Sequence, residues 1–150
     1  VVFLYNGPEL GFPEESEYIY WLVEECEIDE EVIGDIVFFD KGYAFFRNPM
    51  DAGSDKGHII SLVKWMMSNN INDSRDISEE QWDSINLPEL RENLEGNDDA
   101  LFIPDVLKLL NGIFGSIDLM GGGRNECLAE VEICLMALVK NYKLIEQFTY

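Results

Sequence analysis

The chain begins with an apolar run, Val1-Val2-Phe3-Leu4-Tyr5, stopped by Asn6-Gly7-Pro8. A run of that length bounded by turn residues predicts a buried strand. Helical spacing follows in Ile19, Leu22, Val23 and Cys26, with acids on the opposite face. Asp35 to Phe39 predicts a second buried strand, Lys41-Gly42 a turn, and Tyr43 to Phe46 a short third strand. Pro49 to Gly57 reads as a loop. Ile59, Ile60, Leu62, Val63, Trp65 and Met66 then mark a well-buried helix ending before Asn69-Asn70.

The sharpest local signal is Ser78 with Gln81, a capping box, flanked by Ile77 and Trp82 as its hydrophobic staple. A short helix is expected over Leu87 to Leu94. Pro104-Asp105 opens another, which ends at Asn111-Gly112. The last third is the most regular. Ile117 to Met120 is a strand, Gly121-Gly122-Gly123 a tight turn, and residues 126–139 an amphipathic helix carried by Leu128, Val131, Leu135 and Leu138. Tyr142 to Phe148 is a closing strand. Strand, helix and strand with short connections imply a right-handed βαβ unit and a parallel pair. With the early strands apolar throughout, the expectation is one domain over residues 1–150: an α/β three-layer sandwich with a mostly parallel, Rossmann-like sheet.

Composition restricts the function classes. The 150 residues are 47% apolar, with eighteen aromatics, enough for one sizeable core. No apolar run approaches the roughly 18 residues that span a bilayer, and the first residues lack a signal-peptide pattern, which points to the cytoplasm. The three cysteines, Cys26, Cys127 and Cys134, form no Cys-x-x-Cys pair and indicate neither a disulfide framework nor a zinc site. The net charge of −20 argues against nucleic acid and against anionic membranes. Fourteen of the thirty acids fall within residues 1–55, facing Lys41 and Arg47 alone among lysines and arginines. Such a surface keeps a protein soluble, or imitates nucleic-acid phosphates and occupies a basic partner.

Candidate chemistry gathers at strand ends, where ligands of parallel sheets bind. Tyr5, Asn6, Asp40 and Lys41 are one group, and Gly121, Gly122, Gly123, Arg124, Asn125 and Cys127 the other. A thiol on the first turn of a helix feels the dipole and the free N–H groups that favour thiolate and hold an oxyanion. A buried packing role for Cys127 is the alternative. The glycine turn fails the G-x-G-x-x-G pattern, because Glu126 stands where the third glycine belongs. His58, the single histidine, reads as a helix-opening residue. Asp35, Asp40, Asp51 and Asp55 match no metal-binding spacing, so neither metal nor cofactor is expected.

Ile103-Pro104-Asp105-Val106-Leu107, then Ile117 to Gly121, then Cys127-Leu128 and the following helix and strand resemble the isochorismatase-like cysteine hydrolases. Gly121 and Cys127 have that family's separation of glycine and nucleophile, and Val1 to Tyr5 is similar to its opening strand. The resemblance implies a small amide or ester substrate, Cys127 as nucleophile, and the backbone N–H groups of Asn125 to Cys127 around the oxyanion. Tyr5 stands where the family carries its activating aspartate. No lysine stands at the family's expected place before Pro104, leaving Lys41 the one cation at a strand end. Two readings are therefore carried forward: a hydrolase of small molecules, and a non-catalytic acidic protein that binds a basic protein surface. Self-association stays open in both.

Overall fold

The computed structural model describes residues 2–5, 14–34, 37–40, 46–95, 100–119 and 124–146. The chain divides into two compact units, Val1–Tyr43 and Ala44–Tyr150.

In the first unit, β1 (Val2–Tyr5) pairs in parallel with β2 (Val37–Asp40), Val2 opposite Val37 and Tyr5 opposite Asp40. Between them lie α1 (Glu15–Glu24) and α2 (Glu30–Gly34). Tyr18 and Ile33 are its buried helical residues. Cys26, the last residue of the expected apolar stripe, is exposed.

The second unit holds α3 (Arg47–Asp51), α4 (Lys56–Ser68), a 3-10 turn (Ser74–Asp76), α5 (Glu79–Ile85), α6 (Pro88–Asn93) and α7 (Asp105–Asn111). It continues with β3 (Ile117–Leu119), α8 (Cys127–Ala137) and β4 (Tyr142–Leu144). The expected strand–helix–strand element is present. β3 and β4 are parallel, with Ile117 opposite Tyr142 and Leu119 opposite Leu144.

The three-layer Rossmann-like sandwich is not. Among the described residues there are eight α-helices and two separate two-stranded parallel sheets. The physical reason lies in α8. Its positions 128 to 131, 133 to 135 and 137 are all buried, where an amphipathic helix over 126–139 would bury one face on a sheet. A helix buried around most of its circumference sits at the centre of a core, and α4 and α7 both pack against it. From α4, Ile59, Leu62, Val63 and Met66 are buried; from α7, Val106, Leu107 and Leu110. Strands of three residues supply too little surface to replace that helix-on-helix core.

A second correction falls at Pro49 to Gly57, where residues 47–51 are helical instead of loop. Pro49 sits in the first turn of α3, where its missing N–H costs no intrahelical bond. The third strand expected at Tyr43 to Phe46 lies largely outside the described residues; Phe46 itself is fully buried. The capping box forms as read: the Ser78 hydroxyl accepts from the Gln81 N–H at 3.2 Å, and the Gln81 side chain accepts from the Ser78 N–H at 2.9 Å. Ile77 and Trp82 are both buried beside it. His58 opens α4, its N–H donating to Asp55 Oδ1 at 3.1 Å.

The C-terminus of α8 closes in a Schellman motif, Lys140 N–H to Leu135 O at 2.9 Å and Val139 N–H to Met136 O at 3.1 Å. That motif needs a left-handed residue, normally glycine, and here Val139 fills it at φ 55°. A β-branched side chain in that region is strained by about 1–2 kcal/mol.

A polar tie joins α8 to its neighbours. The Tyr142 hydroxyl donates to Glu132 Oε1 at 3.0 Å, and Lys56 Nζ reaches Glu132 Oε2 at 3.5 Å, linking β4, α8 and α4. Burial, then the hydrogen bond to Glu132 and its charge, push the Tyr142 hydroxyl up to about 12. A free tyrosine ionises near 10, so the folded chain favours the neutral form. The stability this contributes is complete below pH 10 and is lost as pH rises from about 10 through 12. Denaturation midpoints followed from pH 9 to 12 should fall more steeply for the wild type than for Tyr142→Phe.

Candidate interaction surface

Residues 14–31 contain nine acids in eighteen positions and no lysine, arginine or histidine. Glu14, Glu17, Glu24, Glu25, Glu27, Asp29, Glu30 and Glu31 are all exposed. Part of this charge suits the local structure. Glu17 accepts from the Glu14 N–H at 3.3 Å at the start of α1. Asp29 accepts from the Glu31 N–H at 2.8 Å, and Glu30 and Glu31 lie in the first turn of α2, where the dipole favours anions.

The other end of α1 is the opposite case. Glu24, Glu25 and Glu27 crowd the negative pole of the helix, and its last turn holds no basic residue. Glu27 is moreover held at φ 54°, in the left-handed region. Like charges on a helix C-terminus oppose the dipole, so three exposed glutamates are placed where a cation belongs. Exposed apolar groups accompany them: Tyr20 is 66% exposed, and Trp21 and Val32 are exposed as well. Beneath, Tyr18 stacks on Trp21 with centroids 5.9 Å apart. Burial, then the charge of Cys26, pushes the Tyr18 hydroxyl above its usual value.

The candidate residues at the expected strand ends belong to both units. Tyr5 and Asp40 are register partners at the same end of β1 and β2 in the first unit. Asn6 and Lys41, which follow them, lie outside the described residues, as do Gly121, Gly122 and Gly123. Arg124, Asn125 and Cys127 belong to the second unit and are exposed. Arg124 pairs with Glu146 at 3.2 Å. Cys127 is the first residue of α8, behind a Glu126 that makes no side-chain cap. No hydrogen bond or ion pair joins its thiol to another described side chain. Cys134, about two turns further along α8, is fully buried.

A groove of about 290 Å³ runs between the 3-10 turn, α5 and α6. It brings Arg75 and Arg91 to one concavity, which sequence spacing did not reveal. Both cations are already satisfied. Arg75 is bonded to Asp73 and lies over the Phe102 ring, and Arg91 is bonded to Glu79 and lies over Trp82. The hydrogen bond from each arginine holds Asp73 and Glu79 below the usual carboxylate range. The groove therefore has no spare cation for an anionic ligand. Among the described residues no group of three or more His, Cys, Asp or Glu side chains is arranged to hold a metal, and no helix is long and apolar enough to cross a membrane. Asp55, one of the four aspartates considered for a cation, caps α4 instead.

Comparison with protein-family models, with curated proteins and with solved structures finds no match.

Proposed function

We propose that the chain is a non-catalytic acidic interaction protein whose 14–32 segment binds a basic, partly apolar protein surface. One observation carries this: Glu24, Glu25 and Glu27 stand exposed at the C-terminal pole of α1 with no cation in its last turn. Local rules are broken at functional positions more often than elsewhere, because a partner supplies what the free chain lacks. Lysine or arginine from the partner would offset both the glutamates and the helix pole, and Tyr20, Trp21 and Val32 would supply apolar contact. Three free thiols suit a reducing, cytoplasmic compartment.

A labelled 18-residue peptide of lysine and leucine, titrated into the intact chain, tests the reading. Its affinity should fall by about tenfold or more between 50 and 300 mM salt, because exposed charges are screened. Affinity indifferent to salt would remove the reading.

A cysteine hydrolase of small amides or esters is the second reading, favoured by the exposed position of Cys127 on the first turn of α8. It requires a group that activates the thiol. We expect iodoacetamide to label Cys127 no faster than Cys26 at any pH from 6 to 9, with Cys134 protected until the chain unfolds. Preferential labelling of Cys127 below pH 7 would reverse the order of the two readings.

A further inference from the structure

Asn-Gly occurs twice in the chain, at Asn6-Gly7 and at Asn111-Gly112. The first lies outside the described residues. Asn111 is the last residue of α7 and Gly112 caps it, and both are exposed. An asparagine followed by glycine is the pair most prone to lose its amide, because no side chain shields the glycine nitrogen from the asparagine Cγ. The other described asparagines precede larger residues, such as Leu87 after Asn86 and Tyr142 after Asn141.

The fold holds this pair in the wrong geometry for that reaction. Gly112 keeps a helical backbone, φ −76° and ψ −8°, and its N–H donates to Leu109 O at 3.1 Å. The next N–H, of Ile113, donates to Leu110 O at 3.2 Å. The Lys140 ammonium donates to Asn111 O at 3.0 Å and to Ile113 O at 2.7 Å, one carbonyl on either side of Gly112. Lys140 is itself fixed. Its N–H closes the α8 Schellman motif on Leu135 O at 2.9 Å, and its ammonium stands 5.6 Å from the centre of the Phe114 ring. To reach Cγ, the Gly112 nitrogen must swing about the Asn111 Cα–C bond. That rotation carries the Asn111 carbonyl with it, because the peptide unit is planar. It therefore breaks the Lys140 bond to Asn111 O and the Gly112 bond to Leu109 O together.

We propose that Asn111-Gly112 is a deamidation site of this chain, kept closed by the Lys140 clamp between the ends of α7 and α8. When the clamp opens, base removes the Gly112 amide proton and the nitrogen attacks Asn111 Cγ. The N–Cγ bond forms, the Cγ–Nδ2 bond breaks, and ammonia leaves behind a cyclic imide. Water then opens either C–N bond of the imide ring, giving aspartate or isoaspartate. One water is consumed, one ammonia is released, and no electrons are transferred. Either product places a carboxylate at the C-terminal pole of α7, where the helix dipole disfavours it. Isoaspartate also routes the main chain through Cβ, lengthening the link from α7 to β3 by one carbon.

The intact chain, incubated at 37 °C and pH 8 and then digested for mass spectrometry, tests it. In urea Asn111 should convert readily, and in the folded wild type at least about tenfold more slowly. Lys140→Met keeps the apolar stem and removes the donors. It should raise the folded-state rate at Asn111 by about tenfold, the factor that a hydrogen bond to a charged group supplies, and leave the rate in urea unchanged. Leu62→Ala weakens the core without touching the clamp, so it should accelerate Asn111 by less than Lys140→Met does. No conversion in urea, or a Lys140→Met rate equal to that of the wild type, overturns the proposal. An acceleration by Leu62→Ala as large as that of Lys140→Met also overturns it, because unfolding of the whole unit would then set the rate in place of the clamp.

Discussion

Truncating Leu62 to alanine should destabilise the second unit by about 2–5 kcal/mol, the range for a buried leucine whose cavity cannot collapse. Leu62 is fully buried on the face of α4 that also buries Ile59, Val63 and Met66. That face packs against α8, itself buried along nearly its whole length. With helices on several sides, the surroundings have little freedom to close over a missing isobutyl group. Urea denaturation followed by Trp65 and Trp82 fluorescence would measure the loss, and Leu135→Ala, from the α8 side, should cost a similar amount. A loss under about 1 kcal/mol at both positions would mean that the α4–α8 interface is not the main core.

The second large effect has opposite signs on stability and on binding. Replacing Glu24, Glu25 and Glu27 together by glutamine removes three like charges from the negative pole of α1. The free first unit should gain about 1 kcal/mol in total. Affinity for a lysine–leucine peptide should fall by about tenfold or more, and its salt dependence should flatten. A stabilised protein with weakened binding is the signature of residues kept for a partner at the expense of the fold. If these glutamates only keep the protein soluble, the triple variant would gain stability and bind the peptide as before.

Local structure was readable from the sequence to a fair depth. The capping box at Ser78, the α4 helix from its apolar spacing, and the β3–α8–β4 element were each legible because they depend on residues close in the chain. The assembly of those elements was not. Short apolar runs at Val1 to Tyr5 and Asp35 to Phe39 do produce parallel strands, but among the described residues two strands to a sheet form no layer on which helices can stack. The deciding feature was hidden in α8. Ala129, Ile133 and Cys134 fill the side of the helix between the leucines counted for periodicity, and a small residue or a thiol does not announce itself as core. Pro49 misled for a different reason: it forbids a helix interior but not a first turn.

The acid-rich segment was visible as composition, not as a site. Counting carboxylates cannot distinguish Glu30 and Glu31, which suit the start of α2, from Glu24, Glu25 and Glu27, which oppose the end of α1. Only the positions of the helix ends separate them. The Cys127 thiol shows the reverse. Its place on the first turn of α8 was legible, whereas its lack of a bonded partner among the described side chains was not.

Binding at the acidic segment is read most directly from the backbone amide spectrum of the ¹⁵N-labelled chain during titration with the lysine–leucine peptide. Shift changes should concentrate at residues 14–32, be largest near Glu24 to Glu27, and reverse at high salt. Changes confined to the neighbourhood of Arg124 to Cys127, or no saturable change at all, would contradict binding there.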